Sequence, residues 1–309
     1  MNKRIQRRTS LKKIESLNQL TQLLQLLLKN EKLSSNNRKI TEYILLNDKS
    51  IAFMTASELS EKVGVSQPAI TRFVTNVLNY SNFSLFINEM KLLTRYELTA
   101  VERQSITSFN QLSTIETFIQ QEVDNLQSLL KYINADQLEI TSKKITNASS
   151  ILIIGSRTSL PLANYFYFFL RKIRSNVSIH TTDGSDTFDI LEDYKEPTAL
   201  VVTFLFPRYP TEMVTILRYL EKEHFQYISI ADSNVLEKQA IGKISIITPI
   251  TLNSLFDSYL SPFALLTILL NLISNENFGA TKERLAKLEE TYKTTNIFYT
   301  HSTKKGDTK

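Results

Sequence analysis

From residue 17 to about residue 98 apolar side chains recur every three or four positions, with no strand-like alternation. The pattern predicts helices over Leu17 to Leu28, Asn36 to Leu46 and Leu85 to Leu98, with two shorter ones opened by Thr55 and Ser66. This reads as a compact helical head. Arg103 to Thr114 is polar, rich in Ser, Thr, Gln and Asn, and is the expected linker. Helical spacing resumes over about Ile115 to Ile133 and Asp136 to Ile145.

Beyond residue 149 the period changes. Ser150 to Gly155 is a short β-branched run closed by glycine, the pattern of a strand buried on both faces. Val177 to His180, Ala199 to Phe204, Tyr227 to Ala231 and Ile244 to Ile247 repeat it, with helical segments at Leu160 to Ile173, Pro210 to Glu223 and Val235 to Ala240. Strands alternating with helices predict an α/β domain, a parallel sheet flanked by helices in flavodoxin-like layers, behind an all-α head. The expected division is 1–100 for the head, 101–135 for a linker and helix, 136–280 for the α/β domain and 281–309 for a C-terminal helix and polar tail.

The most informative stretch of the head is Ser66 to Phe83. Before it, Thr55 can cap a short helix on which Leu59 and Val63 share a face, and Gly64 supplies a turn. Ser66 is then expected to cap a second helix through its hydroxyl, with Pro68 in the first turn, where a missing donor costs nothing. Ile70, Phe73, Val74 and Val77 or Leu78 point inward, leaving Gln67, Thr71, Arg72 and Thr75 outside. That is the layout of a helix-turn-helix, whose second helix enters the major groove by its N-terminal turns. Gln pairs with adenine and Arg with guanine, so Gln67 and Arg72 are the expected base readers. The competing reading is an ordinary amphipathic hairpin, polar outside because it faces solvent.

Charge favours the first reading. Residues 1–100 hold 15 Lys+Arg against 8 Asp+Glu, a net +7, whereas the remaining 209 hold 21 against 23, a net −2. Lys3, Arg4, Arg7, Arg8, Lys12 and Lys13 supply most of the excess, a run suited to phosphates or equally to a solvated tail. Among 309 residues there is no Cys, which excludes disulfides and thiol catalysis and fits a reducing compartment. The three histidines, His180, His224 and His301, are too scattered for a metal cluster, so neither metal nor cofactor is expected. No secretory signal is read, and the longest apolar run, Tyr259 to Ile273, is shorter than the ~20 residues of a membrane span. The expectation is a cytoplasmic protein with no membrane contact.

In parallel sheets ligands bind beyond the carboxyl ends of strands, beside helix N-termini that favour anions. Three loops therefore qualify. Gly155 to Ser159 offers Ser156, Arg157, Thr158 and Ser159; Leu205 to Thr211 brings Arg208, Tyr209 and Thr211; the third contributes Asp232 and Ser233. The simpler alternative is that Ser159 and Thr211 only cap helices and that both arginines face solvent. For an isomerase the nearby acids and bases are His180, Asp183, Asp186 and Glu192, none in a recognisable catalytic motif. The aromatic segment Tyr165 to Leu170 and the run Ser261 to Ile273 are apolar enough to meet both a core and a second copy.

These residues resemble a known family. Leu33-Ser34, Ala52-Phe53-Met54-Thr55, Glu58-Leu59, Val63-Gly64-Val65-Ser66, Thr71-Arg72-Phe73 and Leu78-Asn79-Tyr80-Ser81-Asn82-Phe83 follow the order of the head of RpiR-type (MurR/RpiR) bacterial regulators. Asn79 and Asn82 replace the family's usual Gly, as suits a left-handed backbone, and one additional residue lies between Phe73 and Leu78. The second domain resembles the SIS, or sugar isomerase, fold that follows this head. Its usual Ser-Gly-x-Thr phosphate loop is here Phe206-Pro-Arg-Tyr-Pro-Thr211, with Leu205 where Ser is common. The resemblance implies a regulator of carbohydrate metabolism that binds a double-stranded DNA operator as a homodimer or homotetramer. Its implied effector is a small anionic metabolite, a phosphosugar first of all. A SIS-type isomerase and a non-catalytic scaffold are the alternatives.

Overall fold

The computed structural model describes residues 17–94, 99–106, 112–182, 186–250 and 256–299. They form two compact units that divide after residue 109. Predictions for Lys3 to Lys13, Asp183 and the end of the fifth head helix lie outside the described residues.

The first unit is helical: α1 (Leu17–Leu28), α2 (Ser35–Leu46), a 3-10 turn (Ser50–Phe53), α3 (Ala56–Val63), α4 (Gln67–Asn76), α5 (Phe83–Thr94) and α6 (Ala100–Ile106). Ile40, Ile44, Ile51, Leu59, Ile70, Phe73, Phe86 and Met90 meet in one core. Full burial of each such side chain contributes about 1.5–3 kcal/mol. Gly64 ends α3 at φ +73, the left-handed backbone that lets the chain turn into α4. The polar stretch expected as a linker is helical at both described ends, in α6 through Ile106 and again from Leu112. It holds neither Gly nor Pro, and the division between the two units falls within it.

The second unit runs α7 (Leu112–Ser128), α8 (Ala135–Asn147), β1 (Ile151–Gly155), α9 (Leu160–Ile173), β2 (Val177–Thr181), α10 (Thr187–Glu192), β3 (Leu200–Leu205), α11 (Thr211–Lys222), β4 (Tyr227–Ala231), α12 (Val235–Lys238), β5 (Ile246–Ile247), α13 (Leu260–Glu276) and α14 (Phe278–Thr295). All five strands are parallel, in the order β2-β1-β3-β4-β5. Alternate strand residues feed two cores. Ile151, Ile153, Val202 and Phe204 pack with Phe166 and Leu265 on one face, while Leu152, Ile154, Val201 and Leu205 pack with Ile216 and Leu217 on the other. Both faces are covered, which is why the strands read as largely apolar runs. α13 is the apolar run at Tyr259 to Ile273; among the described residues no helix is long and apolar enough to cross a membrane.

Gly155 fixes how closely α9 approaches β1. A Cβ there would lie 2.6 Å from the Ala163 Cβ and 3.2 Å from the Leu160 Cα. We expect Gly155→Ala to lower stability by about 1–3 kcal/mol, as overpacking does. Chemical denaturation checks it, and an unchanged midpoint would show that α9 can move away freely.

Candidate functional site

Thr55 and Glu58 build the entry to the helix-turn-helix. The Glu58 amide donates to Thr55 Oγ1 at 3.2 Å while the Thr55 amide donates to Glu58 Oε2 at 2.7 Å, a reciprocal capping box. The bond from the Thr55 amide, aided by its hydroxyl, holds the Glu58 carboxyl below the usual carboxylate range. Its contribution is therefore complete at neutral pH and fades as the pH falls through the lowered pKa. Thr55→Ala should cost about 1 kcal/mol, read as a lower denaturation midpoint of the head; no change would mean that the box is idle.

Ser66 takes the N-cap position of α4, but its side chain makes no cap bond, contrary to the expectation from sequence. Pro68 at the second helical position already removes one of the amides it could have served. Ser66, Gln67, Pro68, Thr71 and Arg72 are exposed, and Thr75 is partly so. Thr71 and Thr75 donate back to the Gln67 and Thr71 carbonyls at 3.4 and 3.0 Å, a local use of both hydroxyls. The Gln67 and Arg72 side chains have no partner among the described residues. They stand free on the face opposite buried Ile70, Phe73 and Val74.

The exit from α4 separates the two asparagines. Asn79 adopts φ +60, as expected for a residue standing in for Gly. Asn82 does not adopt a positive φ; its Oδ1 accepts from the Leu85 amide at 2.8 Å and caps α5. Capping is the other thing a short amide side chain does well.

In the second unit the three loops follow β1, β3 and β4, which are neighbours in the sheet. Successive strands are added outward in opposite directions from β1 and β3, so the loops surround a topological switch point. Tyr209 ties the second loop to the third: its hydroxyl donates to Asp232 Oδ1 at 2.6 Å and lies 3.3 Å from Ser233 Oγ. Ser159 Oγ donates to the Ser156 carbonyl at 2.8 Å and accepts from the Ser156 amide at 3.2 Å. Both serines are buried, so Ser159 shapes its loop rather than offering a free hydroxyl. Thr158 Oγ1 accepts from the Tyr259 hydroxyl at 3.0 Å.

Two helices open here without side-chain caps, α9 after Ser159 and α11 after Pro210. The first amides of α11, with exposed Arg157 and Arg208, which have no partner among the described residues, form the anion-favouring part of the site; at α9 the Leu160 amide already donates to the Arg157 carbonyl and Pro161 has none. Thr211, in the first turn of α11, is exposed beside them. Two carboxylates stand opposite. Asp232 is buried, and Glu212 places Oε1 3.5 Å from Ser156 Oγ. The site thus pairs donors for an anion with acceptors for hydroxyls.

Sequence reasoning missed Glu212 and Tyr259. Glu212 directly follows Thr211 at the start of α11 and was legible as the next residue. Tyr259 is about a hundred residues from Thr158, with its ring packed edge-on against Phe206 at 5.3 Å, and no local pattern announces it. Of the isomerase candidates, His180 is paired with Thr187 at 2.9 Å, Asp186 is exposed, and Glu192 is exposed and engaged by Tyr219 and Lys195.

Compared with known families, residues 19–91 match the helix-turn-helix domain of the rpiR family and residues 144–272 match the SIS domain. The chain belongs to the RpiR-type family. An RpiR transcription factor from Sphaerobacter thermophilus, solved as its sugar isomerase domain, superposes on this RpiR-type chain with a TM-score of 0.53 at 19% identity. It covers 59% of this chain and 99% of that one. The NanR protein of Vibrio vulnificus, solved in complex with ManNAc-6P, gives 0.52 at 17% identity over 90% of this chain and 100% of its own. At such identities the likeness is one of fold. A comparison with curated protein sequences returns no match.

Proposed function

We propose that this RpiR-type chain is a DNA-binding transcription regulator whose SIS domain senses a small anionic metabolite, a sugar phosphate being the class that fits best. One observation carries the reading: a recognition helix with unencumbered Gln67 and Arg72 lies in the same chain as a switch-point site holding the uncapped N-terminus of α11, Arg157 and Arg208. Ser66, Gln67, Pro68, Thr71, Arg72 and Thr75 form the DNA-facing surface, entered from Thr55. The phosphate falls to Arg157, Arg208, Thr211 and the helix amides. Ser156, Glu212, Asp232 and Ser233 take the hydroxyls, with Thr158, Ser159 and Tyr209 holding the loops in place. The NanR structure with ManNAc-6P supports a phosphosugar as the class to try first.

Binding without turnover is the simpler chemistry here. A proton shuttle needs an acid or base over the substrate, and His180 and Glu192 are already engaged with neighbouring side chains.

A second copy fits the exposed aromatic face of α9. Phe168 and Phe169 are 57% and 39% exposed there, while Phe166 and Leu170 on the same helix are buried. Two-fold pairing would let two heads read two half-sites. The test is a mobility shift of the DNA upstream of the gene and of its neighbours. Tight binding that weakens steeply with salt is expected, and no shifted fragment even at low salt would overturn the reading.

A further inference from the structure

A cavity of about 220 Å³ lies at the opposite end of the sheet from the ligand loops, where the chain enters β1 and β2. It opens between the C-termini of α8, α9 and α13 and the N-terminus of α14. Helix C-termini repel anions, but two of these are already covered. Arg174 donates through Nη2 to the Ala148 carbonyl at 2.7 Å, through Nε to the Ser175 carbonyl at 3.2 Å, and through Nη1 to the Ile145 carbonyl. Arg284 donates through Nε and Nη2 to the Arg171 carbonyl at 3.0 and 2.8 Å.

The α13 C-terminus stays uncovered, but electropositive, unsatisfied groups face the cavity beside it. Arg284 Nη1 has no partner among the described residues, and the guanidinium is held still by its other two nitrogens. α14, 18 residues long, begins at the cavity with no side-chain cap, so the amides of its first turn, to Ala280, are open to a ligand. Thr281 lines the cavity with only 7% of its surface exposed, and its hydroxyl makes no hydrogen bond among the described residues. Thr146 Oγ1, on the same wall, is fully buried and also without a partner. An unpartnered Thr281 hydroxyl, beside a half-used guanidinium and an uncapped helix, is accounted for by a bound group.

We propose that this cavity is a second ligand site that binds a small oxyanion, the phosphate or carboxylate group of a metabolite, separate from the site at the strand ends. The volume falls below the roughly 300–1,000 Å³ of sites for drug-sized ligands, which limits the occupant to a small molecule or the charged end of a larger one. Arg284 Nη1 and the α14 amides hold the charge, and Thr281 donates to its oxygens.

The test uses the full chain carrying Arg208→Ala, so that the strand-end site is weakened, titrated with inorganic phosphate and, separately, succinate. Calorimetry gives the affinity, and amide resonances of Gly279 and Ala280 report the place. One site is expected for at least one of the two anions, with those two amides shifting; the anion that binds identifies the source as phosphate or carboxylate. Thr281→Val, which keeps the shape and removes the hydroxyl, should weaken binding about 5- to 10-fold, and Arg284→Ala should remove it. If Arg284→Ala fails to fold, the Thr281→Val titration and the amide shifts still decide. Binding of neither anion at millimolar concentration, or equal binding by parent and Thr281→Val with still amides, would overturn the proposal. The reading of the strand-end site is untouched by either result, since its own test is loss of sugar phosphate binding on Arg208→Ala in an otherwise unaltered chain.

Discussion

Arg72→Ala should remove sequence-specific DNA binding and leave the fold intact. The side chain is exposed on α4, has no protein partner among the described residues, and stands opposite Ile70, Phe73 and Val74. Truncating such a residue changes stability by no more than about 0.5 kcal/mol. A bidentate arginine contact to a base edge is worth about 1–3 kcal/mol. In a protein with two heads on one operator the loss counts twice, about 2–6 kcal/mol, which is roughly 30-fold to more than 10⁴-fold in affinity. Fluorescence anisotropy against operator and scrambled DNA measures it. Unchanged operator affinity in a protein of unchanged melting temperature would remove α4 as the reading helix.

The second large effect belongs to Arg208→Ala. Arg208 is exposed in the loop after β3, just ahead of the uncapped start of α11, so its loss disturbs little but the site. A hydrogen bond to a charged group is worth about 1.5–3 kcal/mol, which predicts sugar phosphate binding about 10- to 150-fold weaker. Calorimetry on parent and variant decides, and equal affinities would take this loop out of the site. Tyr209→Phe is a milder companion: it removes the bond to Asp232 without touching the charge, loosening two loops at once.

The fold was largely legible because most of its signals are local. The β1, β3 and β4 strands are buried on both faces and spell this out in largely apolar sequences, interrupted only by small polar residues such as Thr203 and Ser229. Gly64 and Pro68 punctuate the helix-turn-helix where their backbone preferences demand. Errors fell where one residue type serves two purposes. Asn82 suits a left-handed turn or a cap and became a cap, and Ser66 takes the N-cap position without using its hydroxyl there.

The site was half legible for a related reason. Loops after parallel strands can be located from the strand pattern, but which hydroxyls stay free depends on contacts that sequence does not show. Ser159 is spent on Ser156, and Thr158 is met by Tyr259 from an element a hundred residues on. Tyr259 also suggests how a bound anion would be felt elsewhere. Ser258 donates to buried Glu122 at 2.7 Å and Asn125 donates to Ser261 at 3.2 Å. These bonds tie the Tyr259 segment to α7, the first helix of the second unit and the next in the chain after the head. A movement of the Thr158 loop therefore has a hydrogen-bonded route to α7.

The central claim is that an anion held at the strand ends governs DNA reading by α4. Its most direct test is operator affinity, measured by anisotropy with and without a panel of sugar phosphates, on the parent and on Arg208→Ala. The account predicts that at least one sugar phosphate changes the operator affinity of the parent by 5-fold or more, within the usual range of allosteric coupling, and that Arg208→Ala binds operator as the parent does but loses the response. A parent whose operator affinity is indifferent to every sugar phosphate it binds, or a variant that keeps the full response, would contradict it.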